Sequence, residues 1–244
     1  MDQLENELMN ALSGLQDLDD RIQLRIGKWA ATERLLELGE YESIADFGCG
    51  DGWETIALVM KLNASVAIGI DKEQTLIDTA RIMVDEICRQ LEANRQLVSP
   101  IRAILANPAH FSHLSVDVRS KAISLINKYE KLSLPSYQRG DITNGEKDTG
   151  LPPNHFALVF CKDVLYHIYC AENSPTVPII RAAIQEVARV AKPGGLVAID
   201  EPYTCSPNDD RQVELKSYFL QAGLHPIREN DPSFEGIELY LKLE

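Results

Sequence analysis

No run of four Lys or Arg occurs anywhere in the 244 residues, and 24 basic against 37 acidic side chains leave a formal charge of −13. Nucleic-acid binders draw most of their non-specific affinity from counterion release through Lys and Arg, so nucleic acid is not an expected partner. Long apolar runs are also missing. Stretches such as Phe156 to Cys161 fall far short of the roughly 18 to 20 residues a bilayer span needs, and no membrane partner is expected. The opening Met1-Asp2-Gln3-Leu4-Glu5 has neither the basic start nor the apolar core of a secretory signal, which predicts a cytoplasmic location. The five cysteines, at 49, 88, 161, 170 and 205, are odd in number and never form a C-x-x-C pair. Free thiols are the simplest account, and neither a zinc site nor any other metal is assigned. What is present, 45% hydrophobic and 25% charged residues, excludes a disordered or collagen-like chain and suits one α/β domain.

Along the chain, Leu4, Leu8, Ala11, Leu15, Leu18 and Ile22 recur at steps of four and three, one face of a helix that Ser13-Gly14 is expected to interrupt. A second helix is predicted over Gln23 to Leu38, ended by Gly39. Strand runs at Ser43 to Phe47, Ser65 to Ile70, Tyr137 to Arg139, Phe156 to Cys161 and Leu196 to Ile199 alternate with helices at Gln74 to Arg89 and Ile179 to Ala191. Apolar strands separated by helices read as a mostly parallel sheet covered on both faces. The tail adds a helix over Arg211 to Ala222, a short run Pro226 to Arg228, and Ile237 to Lys242, whose alternation suits an antiparallel edge strand. Between Asp71 and Asp141 the chain is longer than one connecting helix requires. The surplus, 97–136, carries the pattern Val118, Ala122, Ile123, Leu125, Ile126, Tyr129 and predicts a helical insertion.

The densest chemical signal is Asp46-Phe47-Gly48-Cys49-Gly50-Asp51-Gly52, where a strand turns into a helix. Glycines at such a junction let the backbone approach a ligand and aim helix N-terminal amides at it. A dinucleotide fingerprint G-x-G-x-x-G would need glycine at 53, and the chain has Trp53. Asp46, two residues before the first glycine, would repel a pyrophosphate. A cationic ligand is preferable, and S-adenosylmethionine carries a sulfonium and an ammonium with no phosphate. The segment resembles motif I, D-x-G-x-G-x-G, of the class I S-adenosylmethionine-dependent methyltransferases. Asp71, 19 positions after the last glycine, Gly140-Asp141-Ile142, the strand Phe156 to Cys161 with Lys162-Asp163-Val164-Leu165-Tyr166-His167, and the turn Arg189-Val190-Ala191-Lys192-Pro193-Gly194-Gly195 extend the resemblance over roughly Ser43 to Asp200.

The resemblance implies an α/β, doubly wound, Rossmann-like fold with a seven-stranded, mostly parallel sheet, carried by a single domain over 1–244. It implies S-adenosyl-L-methionine as cofactor, with contacts from Asp46, Gly48, Cys49, Gly50, Asp71, Lys72, Asp141, Ile142 and Cys161. In that family the acid at 71 meets the ribose hydroxyls, and the acid at 141 and the next backbone N–H meet the adenine. The turn at 189–195 marks the fold and contacts no ligand. The implied reaction is in-line methyl transfer to an N, O or C nucleophile of a small-molecule acceptor, for which the protein must orient the acceptor and exclude water. His167 is the candidate base where the nucleophile is an alcohol, packing under its loop being the other role open to it. His110 and His113 lack a third ligand and read as surface residues. Asp163 and Asp200-Glu201 lie where catechol-type relatives hold magnesium, but the first acid is shifted and Asp-Glu replaces Asp-Asn. A non-catalytic S-adenosylmethionine-binding protein is a second reading, and a nicotinamide oxidoreductase, opposed by Trp53 and Asp46, a third. The N-terminal helical segment over 1–40 is expected to act as a lid, and the chain to be a monomer, or a homodimer paired through the Leu4, Leu8, Leu15 face.

Overall fold

The computed structural model describes residues 3–26, 35, 41–105, 116–130, 132–170, 177–200, 210–227 and 237–243. Helix α1 (Gln3–Ile26) precedes β1 (Ser43–Phe47), α2 (Trp53–Leu62), β2 (Val66–Asp71), α3 (Gln74–Leu105) and α4 (Val116–Glu130). Then come β3 (Ser136–Arg139), a 3₁₀ turn (Ile142–Asn144), α5 (Glu146–Thr149), β4 (Phe156–Lys162), α6 (Val164–Cys170) and α7 (Val177–Val190). The described chain closes with β5 (Ala191–Asp200), α8 (Asp210–Gln221), β6 (Leu224–Pro226) and β7 (Ile237–Lys242).

The seven strands form one sheet in the order β3-β2-β1-β4-β5-β7-β6. Strands β1 to β5 run parallel, and β7 lies antiparallel between β5 and β6. The chain moves outward from β1 to β3 and returns to lay β4 on the other side of β1. Strand order therefore reverses between β1 and β4, and a crevice opens at their carboxyl ends. Strand β1 is buried at all five positions, as expected when helices cover both faces. Its alternation sends Ala45 and Phe47 to a core with Val159, Ile184, Val187 and Phe219, while Ile44 joins Leu58, Val59, Leu158 and Ala198 on the other face.

Several boundaries differ from the sequence expectations. Helix α1 runs unbroken through Ser13-Gly14 to Ile26. A mid-helix glycine costs about 1 kcal/mol, and burial of Leu15 and Leu18 against Ile56 of α2, Ile87 and Leu91 of α3, and Leu125 and Ile126 of α4 offsets it. Residues 23–26, assigned to a second helix, belong to α1, and the rest of that helix lies outside the described residues apart from Leu35. Helix α3 does not stop at Arg89 but continues to Leu105, so the surplus before β3 begins as an extension of the preceding helix. Strand β7 is not the sheet edge. That place is taken by β6, whose three residues are too few to show any periodicity. Among the described residues no helix is long and apolar enough to cross a membrane.

Candidate active site

The chain leaves β1 at Phe47 and enters α2 at Trp53, and the five residues between are tied to β2 by their own backbone. Gly48 and Cys49 donate N–H bonds to the Ile70 carbonyl at 2.8 and 3.1 Å, and Gly52 N–H closes a turn onto the Cys49 carbonyl at 2.9 Å. Gly48 has φ 74°, and a Cβ there would lie 2.1 Å from Cγ2 of Val164, so it lets β1 and the start of α6 touch. Gly50 also has positive φ (55°), but nothing lies within 4 Å of its Cβ position. The space above Gly50 is open.

That space belongs to a cavity of about 610 Å³ at the carboxyl ends of β1, β2, β3 and β4. Its wall brings together Asp46, Gly48, Cys49, Gly50, Asp71, Lys72, Asp141, Ile142 and His167, from segments up to 121 positions apart in sequence. Cys161 does not line it: the side chain is 0% exposed in the core beside Phe47 and Ile199, while its neighbours Phe160 and Lys162 reach the cavity. The period of two along β4 sends alternate residues to opposite faces. Glu54, Glu73, Thr143, Val164 and Ile168 also line the cavity and were not anticipated. Each lies within four residues of a recognised position, and proximity along the chain was the available signal.

The acids of the wall are held differently from one another. Asp46 is 1% exposed and accepts a hydrogen bond of 2.6 Å from the Thr55 hydroxyl. Burial pushes its carboxyl up to about 7, with Glu54 and Asp71 adding to the rise and Thr55 and Lys162 opposing it. Asp71 accepts from Gly50 N–H on Oδ2 at 3.1 Å and from Glu73 N–H on Oδ1 at 2.8 Å, so it fastens the glycine loop as well as facing the cavity. Asp141 caps the 3₁₀ turn, Oδ1 accepting from Thr143 N–H at 2.9 Å and from its hydroxyl at 2.6 Å.

That segment is in turn held to α7. Buried Glu186 accepts from the Thr149 hydroxyl and pairs with Arg189 Nε at 2.7 Å, and Arg189 Nη2 donates to the Leu151 carbonyl at 2.7 Å. The turn beginning at Arg189 thus acts at a distance, steadying the support of Asp141 and Ile142. Burial also drives the Cys49 thiol far above its ordinary range, which leaves it inert.

On the opposite wall, Asp163 (φ 57°) donates its N–H to the Asp200 carbonyl at 2.9 Å. Burial raises the Asp200 carboxyl, and Lys162 partly offsets that rise. Exposed His167 sits in the last turn of α6, its ring edge-on to Tyr166 at 5.8 Å between centroids. Among the described residues no group of three or more His, Cys, Asp or Glu is placed to hold a metal. Glu201, His110 and His113 lie outside the described residues. The donor set fits a ligand that is cationic and carries hydroxyls. Acids dominate the wall, the space over Gly50 is free, and each Asp71 oxygen, bound once, keeps a lone pair for a further donor.

Comparison with known proteins bears on part of the chain and on the fold. Residues 98–199 match a family model described as methyltransferase domain, from within α3 to β5. No curated protein matches the chain. Among solved structures, a TehB-like SAM-dependent methyltransferase from Corynebacterium glutamicum is 11% identical, with 94% of this chain and 98% of that one aligned at a TM-score of 0.51. The putative methyltransferase in complex with the Trm112 methyltransferase activator from Haloferax volcanii is 14% identical, with 100% and 99% covered at 0.50. The [4+2]-cyclase SpnF is 18% identical at 0.50, with 84% of this chain covered but only 60% of that protein's length. These three likenesses speak to the fold, and the third illustrates that one fold carries more than one chemistry. The domain match spans 102 of the 244 residues, and over that stretch the chain is similar to the methyltransferase family, whose fold the sheet order shares.

Proposed function

We propose that the protein transfers a methyl group from S-adenosylmethionine to a small-molecule acceptor by in-line displacement. The observation that carries this reading is the single cavity in which Asp46, the glycine loop, Asp71 and Asp141 meet Lys162, Val164 and His167. The first set supplies a cofactor end and the second an acceptor end. S-adenosylmethionine supplies a methyl group on a sulfonium, which leaves as a neutral thioether.

Asp71 accepts from the ribose hydroxyls while keeping Gly50 in place, and Lys72 lies beside it at the rim. Asp141 and the Ile142 N–H serve the adenine. Asp46 and the acidic wall hold the ammonium and sulfonium charges. Val164 and Ile168 give the acceptor end an apolar surface, which excludes water from the reacting atoms. His167, exposed at that end, takes the proton where the acceptor is an alcohol and is dispensable where it is an amine. The volume of the cavity suits a metabolite-sized acceptor, and the acidity of the chain opposes a nucleic acid.

The test is transfer of a tritiated methyl group from labelled cofactor to cell extract divided by ultrafiltration at about 3 kDa. Label in a low-mass product resolved chromatographically from the unreacted cofactor supports the reading, and transferred label found in the macromolecular fraction alone overturns the acceptor assignment. Where label appears, His167→Ala separates the two roles of that side chain. A pH-rate profile that loses its acidic limb identifies the base, and an unchanged profile identifies a packing residue.

A further inference from the structure

Tyr137 comes from β3, two strands away from β1, yet its side chain ends beneath the glycine loop. It does so by crossing β2 at Gly69, its partner in the β2–β3 ladder. A Cβ at Gly69 would lie 2.5 Å from the tyrosine ring, so glycine leaves the channel through which the ring passes. The hydroxyl then donates to the Gly52 carbonyl at 2.7 Å. Cys49, Ile77 and Ala80 close around the ring, which is 5% exposed. The backbone is held from the other side, where Arg81 donates from Nε and Nη2 to the Tyr137 carbonyl at 3.2 and 2.9 Å. Burial keeps the phenol far above its ordinary range, so it remains a neutral donor.

We propose that Tyr137 is a positioning residue for the cofactor, fixing Gly50 to Gly52 in the form that leaves the space over Gly50 open. The inference rests on the assignment of that loop to S-adenosylmethionine. Two side chains, one from the adjacent strand β2 and one from β3 beyond it, grip the loop: Asp71 through the Gly50 N–H and Tyr137 through the Gly52 carbonyl, with only Asp51 between them. The Gly52 carbonyl also accepts from the Ile56 N–H at 3.2 Å. Removing the phenol oxygen therefore leaves that carbonyl partnered and the first turn of α2 in place. What is lost is the tie between loop and sheet, and a ligand must then restore the order that Tyr137 maintained.

The experiment is calorimetric titration of S-adenosylhomocysteine into wild type, Tyr137→Phe and Gly69→Ala, with melting curves and amide exchange on the ligand-free proteins. Expected are binding by wild type, about fivefold weaker binding by Tyr137→Phe, faster exchange at the Gly50 and Gly52 amides, and a melting temperature close to wild type. Gly69→Ala, which displaces the ring while keeping its hydroxyl, is expected to weaken binding in the same direction. A residue that serves only the core would cost the free and bound forms equally. Unchanged affinity and unchanged loop exchange in Tyr137→Phe would therefore overturn the positioning role alone. Failure of wild type to bind would overturn the cofactor assignment of the loop and this inference with it.

Discussion

Replacing Asp46 by Asn should make the ligand-free protein more stable and its cofactor binding weaker, with both effects set by pH. The carboxyl is fully enclosed, and burial carries it from 3.8 to about 7. An acid whose folded-state value is raised gives the folded protein a relative advantage while it is protonated. That advantage is complete below the unfolded value, declines as pH climbs from about 4 to 7, and is gone above the folded value. The charged form at pH 8 thus costs the fold up to ~4 kcal/mol, since each tenfold rise in proton affinity on folding is worth about 1.4 kcal/mol. Asn keeps the shape and can still accept from the Thr55 hydroxyl, but its amide must also be desolvated, so a net gain of about 1 to 3 kcal/mol is expected. For a chain of this size that is a rise of roughly 3 to 10 °C in melting temperature at pH 8. At pH 5.5 Asp46 is neutral in the folded state but ionised in the unfolded one, so about half of the offset should remain, and the two proteins should converge only near pH 4. Binding should move the other way. Loss of the charged acceptor facing the ligand's ammonium should weaken affinity about 10- to 100-fold at pH 8. Wild-type affinity should itself fall as pH drops below 7. Scanning calorimetry and titration at both pH values read all of these. A melting offset equal at pH 5.5 and 8 would refute the charge-burial reasoning, and unaltered affinity would remove Asp46 from the cofactor end.

Asp71→Ala should reduce cofactor affinity by about 1.5 to 3 kcal/mol, since on the proposed reading it removes an acceptor for the ribose together with the anchor of the Gly50 N–H; titration giving wild-type affinity would make Asp71 purely structural. Two of the left-handed glycines, Gly48 and Gly50, should separate cleanly. Gly48→Ala should lower the melting temperature because its Cβ collides with Val164, whereas Gly50→Val should cost the ligand-free fold only about 1 to 2 kcal/mol of backbone strain while abolishing binding. Leu18→Ala, in the contact of α1 with α2 and α3, should destabilise by about 2 to 5 kcal/mol in urea unfolding; a loss below about 1 kcal/mol would mean that α1 is only loosely attached.

Most of the cavity wall around the glycine loop was legible because its signals are local. A strand running into Gly48, Gly50 and Gly52 states its backbone conformation in its own residues, while Asp71 ends a strand and Asp141 follows one by two residues. Cys161 shows the limit of that logic. Motif position put it at the site, but a strand residue reaches only one face, and the face of Cys161 is the core. Tyr137 was read only as part of a strand, and its link to Gly52 spans 85 positions. Nothing in its local sequence points to that contact, because the contact depends on the neighbouring strand having glycine at 69.

Composition, periodicity and the glycine-rich turn were enough to specify an acidic α/β chain with a parallel sheet and a cation-tolerant loop, since each follows from backbone preferences and charges a few residues apart. Chain order alone did not place β7 inside the sheet, carry α1 through Gly14, or load the protonation of Asp46 with its burial. Those outcomes turn on which surfaces meet, and burial energies and desolvation are properties of the assembled fold.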